Sequence, residues 1–192
     1  MSNYSLPPVE RLSDLPAAEF TQALDALFEP CETLHRLVEE TSIKANHYGS
    51  YDEFIGSVGK QLYYLMEEEA PAGSLAKLDT ILGAHPRLGA KKVESAQSQA
   101  EQAQLNNGGK EEAERLAALN KEYEQTFPGL RYVVFVNGRS RPVIMENMRA
   151  RIDRDEIMFE REEAIKVFLI VSLVYSFHLD QCSNMINSIG YV

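Results

Sequence analysis

Apolar residues recur three and four positions apart along most of this chain, the spacing that lines one face of an α-helix. Residues 1–13 contain Pro7 and Pro8 and are expected to form an N-terminal arm. A first helix is predicted after Pro16, capped by Ser13 or Asp14, with Phe20, Leu24, Leu27 and Phe28 on one face. Pro30 opens a second, with Leu34, Leu37 and Val38 inward. A third is predicted over 51–69, carrying Phe54, Val58, Leu62 and Leu65, and a shorter one capped by Ser74 carries Leu75, Leu78, Ile81 and Leu82. Residues 95–104 are polar and read as helical, and 106–109 as a loop. An amphipathic helix over 110–127 turns Leu116, Asn120, Tyr123 and Phe127 to one side. Further helices are predicted over 142–152 and 155–179.

One run breaks the helical rhythm. Tyr132, Val133, Val134, Phe135 and Val136 form a strand-like stretch before the turn at Asn137-Gly138. A lone strand cannot make a sheet, so it reads as a buried extended segment. The expected fold class is all-α: a single-domain irregular helical bundle with one short extended segment, and an atypical apolar tail over 167–192.

Length and composition agree with this. A chain of 192 residues suits one domain and buries a core without disulfides. Cys31 and Cys182 lack metal-site spacing and read as thiols of a reducing compartment. The net charge of -10 argues against nucleic acid or an acidic membrane as partner. No apolar run is long enough to span a bilayer, and the N-terminus lacks the basic and apolar regions of a secretory leader.

Candidate chemistry gathers in the middle of the chain. Pro86 holds His85 out of helical geometry, so the histidine falls at a turn. Arg87, Lys91 and Lys92 follow, a basic cluster in an acidic protein. A histidine that exchanges protons near neutral pH, set beside cations, suits an anionic substrate. In a helix, Ser98 shares a face with Glu101 or Gln102, offering hydroxyl, carboxylate and amide to a polar heterocycle. Taken alone, both clusters have plainer readings: a capping histidine and a solvated helix face. His35, His47 and His178 have no metal-ligand partner at helical spacing, and no phosphate loop or serine elbow is present.

In order, three sets of segments resemble the 2-oxo-4-hydroxy-4-carboxy-5-ureidoimidazoline (OHCU) decarboxylase family. Residues 15–20 with 27–29 are similar to that family's opening helix. Ala84-His85-Pro86-Arg87-Leu88-Gly89, followed by Ser98-Gln99-Ala100-Glu101-Gln102, resembles its His-Pro and Ser-x-x-Glu-Gln motifs. Leu119-Asn120-Lys121-Glu122-Tyr123, then 132–136, resembles its Leu-Asn-x-x-Tyr helix and the extended segment after it. The resemblance covers about 14–165, and the wording of the later segments resembles fungal-type members.

The resemblance implies an all-helical, cofactor-free carboxy-lyase, often a homodimer, that converts OHCU to (S)-allantoin in urate degradation. It implies His85 and Glu101 as catalytic residues. It implies Pro86, Ser98, Gln99, Ala100, Glu101, Gln102, Tyr132, Val133, Val134, Phe135 and Val136 as substrate-binding positions, with no metal. The implied partner is a small anionic ureidoimidazoline, and the implied compartment is cytoplasm or peroxisome, although Gly190-Tyr191-Val192 is not a peroxisomal tripeptide.

Two departures stand out. The stretch from His85 to Glu101 is shorter than in many members. The family's last helix usually carries a late arginine on the substrate, whereas residues 167–192 contain no Lys, Arg or Glu and that position falls near Tyr175. Arg139, Arg141, Arg149, Arg151 and Arg161 are the candidate replacements. The alternative reading is a catalytically degenerate helical protein that serves as a binding module.

Overall fold

The computed structural model describes residues 4–41, 44–89 and 109–189, with side chains described through 177 and at Leu179. Seven α-helices and one 3-10 helix occur among the described residues: Val9–Asp14 (3-10), α1 Ala17–Leu27, α2 Glu32–Glu40, α3 Tyr51–Tyr64, α4 Ser74–Leu82, α5 Lys110–Thr126, α6 Arg141–Arg154 and α7 Ile157–Ile189. No strand occurs among these residues, so the all-α expectation holds. The stretch 95–104, expected to be helical, lies outside the described residues.

Several boundaries move for physical reasons. The supposed arm folds onto the core. Leu6, Val9, Leu12 and Leu15 are all buried, and their spacing of three matches the three-residue turn of a 3-10 helix. The Tyr51 hydroxyl also donates to the Pro7 carbonyl at 2.7 Å. Helix α3 stops at Tyr64, short of the expected 69. Glu67, Glu68 and Glu69 would have placed three like charges on the negative pole of the helix dipole. Ser74 is the first residue of α4, while Gly73 is its cap with φ +87.

Aromatic packing defines the centre. Phe28 stacks on Phe168 of α7 at 5.1 Å and 11°. Phe54 of α3 meets Phe20, Phe28, Tyr48 and Tyr51. Helix α7 packs against α3, α1 and α4, while α5 packs on α6. The tail boundary expected at 167 therefore cuts through a core helix, because Phe168 and Val171 are fully enclosed. The apolar excess of α7 emerges further along, where Ile170, Leu173 and Phe177 are exposed, Phe177 to 61%.

Two polar ties fix the remaining layers. Arg161 of α7 donates two hydrogen bonds to Asp79 of α4, Nε to Oδ1 at 2.7 Å and Nη2 to Oδ2 at 2.8 Å. Glu160, 0% exposed, gathers the Tyr123 hydroxyl of α5 and the Arg151 and Arg154 guanidiniums of α6. Arg151 also donates from Nη1 to the Val133 carbonyl at 3.1 Å, and its guanidinium lies 4.8 Å from the Tyr132 ring centroid.

The end of α4 and the start of the extended segment touch backbone to backbone. A Cβ on Gly83 would lie 2.6 Å from the Gly129 carbonyl oxygen and 2.9 Å from that of Asp79. Gly129 itself has φ +94, a conformation that favours glycine.

Two stability predictions follow from these contacts. Glu160→Gln leaves a buried guanidinium without its countercharge and should cost about 3–5 kcal/mol in urea denaturation. A loss under about 1 kcal/mol would mean that Glu160 does not organise the α5–α6–α7 junction. Gly83→Ala should cost about 1–3 kcal/mol by overpacking the Gly129 carbonyl, measured the same way, whereas Gly56→Ala, with nothing within 4 Å of its added Cβ, should cost nothing.

Candidate functional site

His85 sits where the chain must leave α4. Gly83 caps the helix, Ala84 donates its N–H to the Ile81 carbonyl at 3.2 Å, and Pro86 prevents further helix. The Gly83–Gly129 contact holds this turn against the residues that lead into 132–136. Arg131 adds a second clamp, donating from Nη1 to the His85 carbonyl at 3.1 Å. Two sequence-predicted elements, the His-Pro turn and the extended segment, are thus tied together by the residue just before Tyr132.

The His85 side chain is not a surface cap. It is 7% exposed, its ring lies 5.8 Å from the Phe168 ring, and its Nδ1 has no hydrogen-bond partner among the described residues. Burial disfavours imidazolium and pushes its pKa down to about 4. The expected neutral-pH proton exchanger is therefore a neutral imidazole in the resting protein.

Residues 132–136, expected to be extended, form neither helix nor strand. Tyr132, Val133, Val134 and Val136 are buried and Phe135 is half-buried. Three of their carbonyls accept from arginines: Val133 from Arg151, Val136 from Arg139 Nε at 3.3 Å, and Phe135 from Arg139 Nη2. Their backbone N–H groups donate to no described residue. Buried amides seldom stay unsatisfied, so any of these that no protein group accepts from is available to a carbonyl-rich ligand. Tyr132 is anchored by its hydroxyl, which donates to Asn147 Oδ1 at 2.6 Å; burial pushes its pKa up to about 12. The Asn137-Gly138 turn closes the segment, with both residues at positive φ and the Arg139 N–H donating to the Val136 carbonyl at 2.9 Å.

Beyond Pro86, Arg87 pairs with Glu124 through Nε and Nη2. The expected basic cluster is thus partly neutralised, and Lys91 and Lys92 lie outside the described residues. Asn120 of α5 donates from Nδ2 to the Leu88 carbonyl at 2.9 Å. Gly89, at φ +80, lies against Leu116. Arg87, Leu88, Gly89, Leu116, Asn120 and Arg141 line a cavity of about 290 Å³. Ser98, Gln99, Ala100, Glu101 and Gln102 lie outside the described residues.

The five candidate cations sort by position. Arg151 holds Glu160 and Val133; Arg161 holds Asp79; Arg149 pairs with Glu122 on the surface; Arg139 binds the 135 and 136 carbonyls. Arg141, 8% exposed at the start of α6, is the one of the five that lines the cavity beside the His-Pro turn.

Sequence reasoning missed Arg131 and Glu160 as organisers of this region, since both look like ordinary surface charges in the sequence. Asn120 did leave a signal, a polar residue on the apolar face of α5.

No curated protein matches the chain. The family model for OHCU decarboxylase matches residues 13–170, from the end of the 3-10 helix to the buried part of α7, and takes in the His-Pro turn, the extended segment and Arg141. Because that match spans most of its length, the chain belongs to the OHCU decarboxylase family of carboxy-lyases, which decarboxylate OHCU in urate degradation.

Proposed function

We propose that this protein decarboxylates OHCU to (S)-allantoin without a cofactor, with His85 as the group that delivers the proton. The observation that carries this reading is the buried, neutral His85, whose turn is clamped by Arg131 to the buried segment 132–136.

The chemistry needs little more than orientation and charge control. Breaking the carbon–carbon bond to the carboxylate releases CO2 and leaves its electron pair on the ring carbon, where the imidazoline system delocalises it. One proton must then reach one face of that carbon. The N–H groups of 132–136 donate to the ring and ureido carbonyls and hold the ring in register. An anionic substrate beside the neutral imidazole favours imidazolium, so His85 gains its proton when the substrate binds and gives it up after CO2 leaves. Glu101 is proposed to orient His85 or the substrate hydroxyl, and Ser98, Gln99, Ala100 and Gln102 to complete the polar wall, as the family resemblance implies.

Activity is tested by generating the substrate with urate oxidase and hydroxyisourate hydrolase and following allantoin by circular dichroism. The protein should accelerate formation of one enantiomer, and His85→Asn should lower kcat by about 10²–10⁴-fold. Production at the spontaneous rate, with racemic product, would exclude the enzyme and leave the binding-module reading.

The titration of His85 gives a separate check. Its folded pKa lies below the usual 6.5, so the unfolded chain binds the proton first as pH falls. The associated stability, on the order of 3 kcal/mol, is fully present above about pH 6.5 and is lost as pH drops toward 4. Nitrogen-detected NMR of the imidazole should give a midpoint near 4 in the free protein, and His85→Phe should flatten the acid limb of the stability curve. A free-protein midpoint near 6.5 would contradict the neutral resting state.

A further inference from the structure

The substrate named above carries a carboxylate, and a carboxylate entering an acidic protein needs a cation where it comes to rest. Among the described residues of the catalytic turn the cation is Arg87, and its guanidinium is bound to Glu124. Residues 167–192 contain no Lys or Arg. A cation elsewhere in the fold that lies beside this turn can supply the charge.

We propose that Arg141 receives the substrate carboxylate in the cavity it shares with Arg87, Leu88, Gly89, Leu116 and Asn120. The placement favours this on three counts. First, the guanidinium is drawn into the interior rather than extended to solvent, at 8% residue exposure; a charge in such surroundings is screened little and acts strongly on an anion. Second, Arg141 opens α6 and Pro142 follows it, so the positive pole of a 14-residue helix reinforces the side chain. Third, the other polar lining is suited to an anion. Arg87 is paired with Glu124, Asn120 is neutral and already turned onto the Leu88 carbonyl, and no Asp or Glu borders the cavity among its described lining residues. The planar fork of a guanidinium also matches the two oxygens of a carboxylate.

The cavity begins two residues after His85, and α6 follows directly on the 132–136 segment and its turn. Arg141 is thus linked along the chain to the amide donors, as Arg87 is to the histidine. Losing CO2 removes the negative charge that Arg141 holds, so the product, which is neutral, leaves this subsite without an electrostatic penalty.

This inference rests on the decarboxylase reading for the identity of the ligand, and the test separates the two. The probes are allantoate, a stable ureido carboxylate, and allantoin, its neutral relative, each used as an inhibitor in the coupled assay and as a ligand in isothermal titration calorimetry. Arg141→Gln should raise KM about 10–100-fold with kcat changed less than about threefold. It should abolish allantoate binding and leave allantoin binding intact, and Arg141→Lys should restore part of the allantoate affinity. Unchanged KM and allantoate affinity in a folded Arg141→Gln protein would overturn the assignment while the decarboxylase reading stood. If the wild-type protein does not turn over, allantoate binding that is lost in Arg141→Gln and partly restored in Arg141→Lys still supports the carboxylate subsite. Absence of allantoate binding to the wild-type protein refutes it.

Discussion

Glu160 has no exposed surface, and three helices meet on its carboxylate. Tyr123 reaches it from α5, Arg151 and Arg154 from α6, and the residue itself belongs to α7. A carboxylate so far from water is tolerable only when its oxygens are fully engaged and its charge is matched. The same Arg151 that answers it also grips the Val133 carbonyl. The extended segment has no strand beside it, so this side-chain grip stands in for a sheet ladder. Remove the carboxylate, and the guanidinium loses the charge that justifies its burial and the backbone loses its support at the same time.

That arrangement gives the candidate site its chemical character. Arginines hold the Val133, Phe135 and Val136 carbonyls of the extended segment. Next to it, a histidine sits in surroundings too dry for a permanent charge. A neutral imidazole is a poor acid but a responsive one, because its proton affinity depends strongly on the nearest charge. Under the proposed function, substrate binding and proton uptake at His85 are coupled, because the free site holds the imidazole neutral.

Much of the fold was legible because it rests on period. Phe20, Leu24 and Leu27, or Leu78, Ile81 and Leu82, declare their helices through spacing alone. The N-terminal stretch was misread because Leu6, Val9, Leu12 and Leu15 follow a period of three, and the two prolines before Val9 suggested a loose arm. The tail was misread because α7 is apolar on both sides near 167–171: its inner residues complete the core, and the outer ones hid that role. The His-Pro turn and the extended run were visible as breaks in the helical pattern. What held them together was not visible. Gly83 meeting Gly129, and Arg131 reaching the His85 carbonyl, depend on distances across the fold that no local pattern encodes.

The closing of the core on α7 also sets an order of events during synthesis. Phe28 finds its stacking partner only at Phe168, and Asp79 finds its guanidinium only at Arg161, 82 residues further on. Until α7 leaves the ribosome, the inward faces of α1, α3 and α4 have no lid, and their aromatic residues face water or one another. Such long-range closure is slow and leaves sticky intermediates. A nascent chain halted before residue 168 would lack the Phe28–Phe168 stack and leave those apolar faces uncovered.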